Sequence, residues 1–172
     1  HGSARILRLA YPELEYVRLV QAALPGWREL ETSHGAPLLT PAQALDFGSR
    51  RDPRALAAVL EQAGVPHELV ATGDAADRWP GLAPDTEVLV HDGAVIDAQS
   101  TVQAMVAAAV TAGAQVHTGW PLARLERTGA GVTAVATDGR TITAGHVVVA
   151  AGGWLPDLLD RLALPAGFLA AF

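Results

Sequence analysis

Arg5 and Arg8 near the beginning of the chain, and Gly152-Gly153 near its end, are the residues whose types and spacing point to chemistry. The two arginines are three positions apart, so on a helical turn both would project from one face. Two guanidiniums on one face can hold a carboxylate through paired, charge-assisted hydrogen bonds, whereas solvated surface arginines are the plain alternative. Gly152-Gly153 follow the run His146-Val147-Val148-Val149-Ala150-Ala151 and precede Trp154. An unbroken apolar run suits a strand covered on both faces, of the kind found in parallel sheets walled by helices. Glycines at the carboxyl end of such a strand let a ligand or another backbone approach closely, and that end is where open α/β sheets bind ligands. An ordinary strand-to-helix turn would show the same pattern.

Composition narrows the remaining possibilities. Half of the 172 residues are hydrophobic, enough for a real core and against disorder. The 12 basic and 18 acidic residues leave a net charge of −6, with no basic run longer than Arg50-Arg51, which argues against a nucleic-acid partner. Absence of cysteine excludes disulfides, thiolate metal sites and a cysteine nucleophile. None of the six histidines is spaced with carboxylates as metal ligands would be. No stretch is apolar for the length of a bilayer span, so a soluble cytoplasmic protein is expected.

The elements that must position these residues follow in order. Glu13 to Glu31 reads as a helix with a break at Pro25-Gly26, closed by Thr32 to Gly35. Ala36 to Gly93 reads as a separate α+β lobe. Its short strands are Leu38-Leu39 and Ala44 to Phe47 on either side of Thr40-Pro41, then His67 to Val70 and Glu87 to Val90. Between them lie a helix capped by Asp52 and Pro53 and ended by Gly64, and a short helix from Asp74 to Trp79 stopped by Pro80. Ser100 and Gln103 form a capping box for a further helix, with Val102, Met105, Val106, Ala109 and Val110 as its core face and Gly113 past its end. A strand from Gln115 to Thr118 and a β-meander come next: Leu122 to Thr128, Val132 to Thr137 and Arg140 to Ala144, the last two joined by the hairpin signal Asp138-Gly139. Val147 to Ala150 is then the return strand, and Trp154 to Leu162 a closing helix.

This order, and the stretches His1-Gly2 with Arg5-Ile6-Leu7-Arg8 and Ala10-Tyr11, Arg78-Trp79-Pro80-Gly81, Gly93-Ala94-Val95 and Val147 to Trp154, resemble the flavin-dependent oxidases of the D-amino-acid oxidase superfamily. The resemblance is nearest to the monomeric sarcosine oxidase and N-methyl-tryptophan oxidase branch. It implies an α/β fold: a partial FAD-binding, Rossmann-like domain from residues 1–35 and 94–172 with an inserted β-meander, and a partial substrate lobe from 36–93. It implies FAD as cofactor, and oxidation of a small amine or amino acid to an imine with hydrogen peroxide as the second product. It further implies that Arg5 lies against the flavin, that Arg8 pairs with the substrate carboxylate, and that His1, Leu122, Ala151, Gly152 and Trp154 border the cofactor. The family's Gly-x-Gly-x-x-Gly turn has no match here and would precede His1, and the strands completing the substrate lobe would follow; residues after Leu164 depart from the pattern. A chain without those parts is expected to bind flavin weakly. The alternative function is therefore a non-catalytic fragment acting as an assembly module, self-associating through surfaces the other parts would cover.

Overall fold

In a computed structural model, the chain is described for residues 4–129 and 131–155. It divides into two compact units, His1–Gln115 and Val116–Phe172. Together they carry the mixed helix-and-sheet fold implied by the sequence, with every strand pair among the described residues antiparallel.

The first unit is built on one long strand. Its elements are β1 (Ala4–Leu7), α1 (Leu14–His34), β2 (Leu39–Asp46), α2 (Pro53–Gln62), β3 (His67–Val70), α3 (Thr72–Arg78), β4 (Val88–Asp97) and α4 (Ala98–Thr111). β4 takes β2 along one edge, from Leu39 opposite Ile96 to Asp46 opposite Leu89. Its other edge is shared: β1 pairs at Ala94 to Asp97 and β3 at Val88 to His91, leaving Asp92 and Gly93 between them. Strand alternation then sorts the core into two layers. Leu89 joins Val17 of α1 and Leu56, Ala57 and Leu60 of α2, while Val88 and Val90 join Val70 and Ala75 with Leu45, Phe47 and Trp79 packed alongside. Val88 to His91 are consequently buried throughout, covered on both faces.

Local signals account for most of these elements. Asp52 adopts φ 46° and accepts a hydrogen bond from the Ala55 amide, Pro53 opens α2, and Gly64 follows it at φ 67°. Gly35 closes α1 at φ 78° with its amide on the Glu31 carbonyl. Three expectations need correction here. α1 runs without interruption through Pro25, which is exposed and costs the helix one hydrogen bond without ending it. β2 runs through Pro41 as one strand rather than two, because it is an edge strand and proline's missing donor is tolerated there. The cap of α4 is Asp97, whose carboxylate accepts from the amide and hydroxyl of Ser100, so the helix begins earlier than a Ser100 capping box requires.

The expected core face of α4 is also corrected. Thr101 and Ala104 are its buried residues, while Val102, Met105, Val106 and Val110 are exposed, because the helix meets the rest of its unit through its narrow, small-residue side.

The second unit holds the expected meander: β5 (Leu122–Thr128), β6 (Gly131–Ala136) and β7 (Thr141–Ala144), in that order across the sheet. Gly139 turns the second hairpin at φ 85°. Two predicted strands are absent from it. Gln115 to Thr118 is irregular, and Val147 to Ala150 forms no strand, with Val148 91% exposed. A strand needs lateral partners for its amides and carbonyls, and the described residues offer none to either stretch. Gly152–Trp154 form a single 3-10 turn. The remainder of the predicted closing helix, like His1, lies outside the described residues.

Candidate functional site

β1 and β2 flank β4 where its cover of helices gives way, and a cavity of about 310 Å³ opens on the face carrying Ile6, Gly93 and Val95. Small residues make its floor: Ala42 stands opposite Gly93 and Ala44 opposite His91 in the β2–β4 register. A Cβ on Gly93 would lie 2.8 Å from the Leu7 carbonyl oxygen and 3.3 Å from the Ala44 Cβ, so glycine there admits the close passage of β1. Arg8 lines this cavity from the corner between β1 and α1, and its guanidinium stacks 5.0 Å from the centre of the Tyr11 ring.

A charged network also borders the cavity. Asp46, which also lines it, accepts from Nε and Nη2 of Arg51 at 2.8 and 2.6 Å on one oxygen. The second oxygen faces Nε2 of His91 at 3.1 Å, and Nδ1 of His91 faces the Asp92 carbonyl at 2.8 Å. Each ring nitrogen of His91 thus has an oxygen within hydrogen-bond distance. Burial pushes the Asp46 carboxyl up, but the hydrogen bonds from His91 and Arg51 outweigh it and hold the group below the usual aspartate range. Arg51 Nη2 also donates to the carbonyl of Ala10 at 3.1 Å, tying the network to the corner that carries Arg8.

Arg5 and Arg8 do not share a helical turn. Arg5 belongs to β1, opposite Ile96, with Nη1 donating to the Ala4 carbonyl at 2.8 Å; Arg8 follows the strand and enters the cavity. In the second unit, Leu122 begins β5 opposite Ala136, beside an irregularity of the ladder between Leu122 and Arg124. Ala151 precedes the turn formed by Gly152 and Trp154, where Gly152 has φ 54° and Trp154 is 70% exposed. A Cβ at Gly152 or Gly153 would meet nothing within 4 Å, so packing within the chain demands glycine at neither. The sequence reading missed Asp46, Arg51 and His91. Their only signal was a histidine and an aspartate spaced to lie on one side of two strands, which becomes visible once the strands are in register.

The comparisons with known proteins give this mixed helix-and-sheet fold its class, that of the FAD-dependent amino-acid oxidases. The family model described as FAD dependent oxidoreductase (DAO) matches residues 1–168, and the chain belongs to that family. It is 32% identical over 172 residues to monomeric sarcosine oxidase of Streptomyces avermitilis, covering 96% of this chain and 44% of that protein. It is 28% identical to peroxisomal sarcosine oxidase of Mus musculus and 30% identical to N-methyl-L-tryptophan oxidase of Yersinia pestis, covering 95% and 94% of this chain. Among solved structures, NikD, described as an unusual amino acid oxidase essential for nikkomycin biosynthesis, superposes with a TM-score of 0.79 at 31% identity, over 93% of this chain and 43% of that one. L-proline dehydrogenase from P. horikoshii shares the fold at a TM-score of 0.72 and 16% identity. The chain spans less than half the length of the curated relatives it matches. No helix among the described residues is long and apolar enough to cross a membrane.

Proposed function

We propose that this chain forms part of a cytoplasmic, FAD-dependent oxidase of a small amine or amino acid, like the sarcosine and N-methyl-tryptophan oxidases it resembles. The observation that carries this reading is the cavity between β1 and β2, lined by Arg8 over an Ala42, Ala44 and Gly93 floor, in a chain matched by the family model through residue 168. Its volume, about 310 Å³, is at the lower end of ligand pockets and suits a small substrate. Arg8 pairs with the substrate carboxylate and, held against Tyr11, fixes its orientation. Arg5 lies beside the flavin and favours negative charge there. His1, Leu122, Ala151, Gly152 and Trp154 border the cofactor, Leu122 through its main chain and Gly152 through its bare backbone. Bound FAD would supply a two-electron acceptor for oxidation at the carbon beside the amine nitrogen, giving an imine, with dioxygen taking those two electrons and two protons to give hydrogen peroxide. Residues 1–35 and 94–172 form the partial FAD-binding domain, from which Arg8 reaches the substrate, and residues 36–93 the partial substrate lobe, with no nucleic-acid or membrane partner.

Titration with FAD, followed by flavin fluorescence and thermal shift, tests this. These residues alone are expected to bind FAD weakly or not at all; where FAD does bind and stabilise, Arg8→Ala weakens a carboxylate ligand while sparing FAD. A colourless protein that FAD does not stabilise supports the second reading, a non-catalytic assembly module, which the exposed Val102, Met105, Val106 and Val110 of α4 favour as a surface for self-association.

A further inference from the structure

Asp46 is an unexpected wall for a cavity whose proposed ligand is anionic. A bare carboxylate lining the same cavity as Arg8 would repel such a ligand and offset the attraction of the guanidinium. The structure shows why it does neither. Asp46 carries Arg51 on one oxygen and His91 on the other, the His91 side chain is fully buried, and the Asp46 side chain is only 11% exposed. We infer that Arg51 is the counter-charge to Asp46, whose second oxygen is taken up by the His91 ring, and that this pairing keeps the positive charge of Arg8 available to a carboxylate ligand in the cavity that Arg8 and Asp46 line. The inference rests on the reading of that cavity as a carboxylate site, and it adds residues that would set the site's affinity without touching the ligand.

The magnitude follows from the size of the cavity. Two charges separated by about the width of a 310 Å³ space, in an effective dielectric near 20, alter affinity on the order of tenfold. Acetate is a sufficient probe, titrated into the intact protein labelled on arginine, with the Nε–H signal of Arg8 followed by NMR. Arg51→Gln is expected to weaken acetate about tenfold by exposing the charge of Asp46. Arg51→Lys, which retains a cation, stays near wild type. The double variant Arg51→Gln with Asp46→Asn recovers the lost affinity. Asp46→Asn alone binds acetate at least as tightly as wild type, which tests the inference even if Arg51→Gln fails to fold.

A purely structural role predicts otherwise: the double variant would be as weak as Arg51→Gln, and Asp46→Asn would itself lose acetate. Either result overturns the inference, as does unchanged acetate affinity in Arg51→Gln. Failure of the underlying site is recognised separately, by Arg8→Ala binding acetate as well as wild type.

Discussion

Gly93→Ala adds one methyl group at the point where β1, β2 and β4 meet. The new Cβ would stand 2.8 Å from the Leu7 carbonyl oxygen, a backbone atom that no rotamer change can move aside. It would also stand 3.3 Å from the Ala44 Cβ on the opposite strand, so escape in that direction is closed. β1 must therefore shift by several tenths of an ångström, and it has only four residues, Ala4 to Leu7, paired to β4. Overpacking of this kind costs about 1–3 kcal/mol. Gly93 has no positive φ, so strain from a left-handed backbone does not enter.

Thermal unfolding by circular dichroism, monitored for a unit of this size, should place the variant on the order of 5–10 °C below wild type. Gly73→Ala is the matched comparison. Gly73 lies in α3, where an added methyl group would meet nothing within 4 Å, and alanine is the better helix former, so a gain of about 0.5–1 kcal/mol is expected. A Gly93→Ala protein melting within about 1 °C of wild type, in an assay that resolves the Gly73→Ala gain, would refute the close passage of β1 over β4. It would remove the floor of the cavity with it.

Leu60→Ala should destabilise the first unit by about 2–5 kcal/mol, read from urea denaturation, since Leu60 is fully buried against Val17 and Leu56. Pro25→Ala should stabilise it by about 1–2 kcal/mol, because an exposed interior proline costs α1 a hydrogen bond and returns only part of that through the unfolded chain. The pH dependence follows from Asp46. Its folded pKa is depressed, so its stabilising contribution is complete above the unfolded value of about 3.9 and is lost as pH falls through the folded value. The urea midpoint should decline below about pH 4, and Asp46→Asn should flatten that decline.

What could be read from the chain was whatever short-range chemistry decides. Asp52, Pro53 and Gly64 bracket α2 within a dozen or so positions, and Asp138-Gly139 turns β6 into β7, so these elements stand where the residues imply. What could not be read depends on partners far away in sequence. Pro41 is harmless because β2 is an edge strand among the described residues, and nothing local reveals an edge. Val147 to Ala150 has the composition of a buried strand, yet composition provides no neighbour to receive its hydrogen bonds. The apolar stripe of α4 is a correct reading of periodicity and a wrong one of burial, since Thr101 and Ala104 face inward instead. Arg8 was legible as a cation for a carboxylate, though not on the helical turn expected to pair it with Arg5; Asp46 and His91, 45 residues apart, become a pair only through the β2–β4 register.

That register also explains how one strand serves both the core and the cavity. From Val88 to His91, β4 is covered by α2 and its neighbours on one face and by Val70, Ala75 and Leu45 on the other, and every residue is buried. Two residues later Gly93 faces Ala42, and the loss of side-chain volume on both strands at once opens the space that Arg8 enters. His91 sits at the transition, and its position demands both properties of the strand. Burial on the core side makes a lone ring nitrogen costly to leave unpaired, and the cavity beyond supplies the carboxylate of Asp46 to pair it. A larger residue at Ala44, directly opposite His91, should therefore act twice, closing the cavity floor and pressing on the Asp46–His91 contact. Ala44→Val is the economical form of that test: loss of acetate affinity together with a flattened acid limb would show that floor and network respond as one unit, whereas loss of affinity alone would show that they are independent.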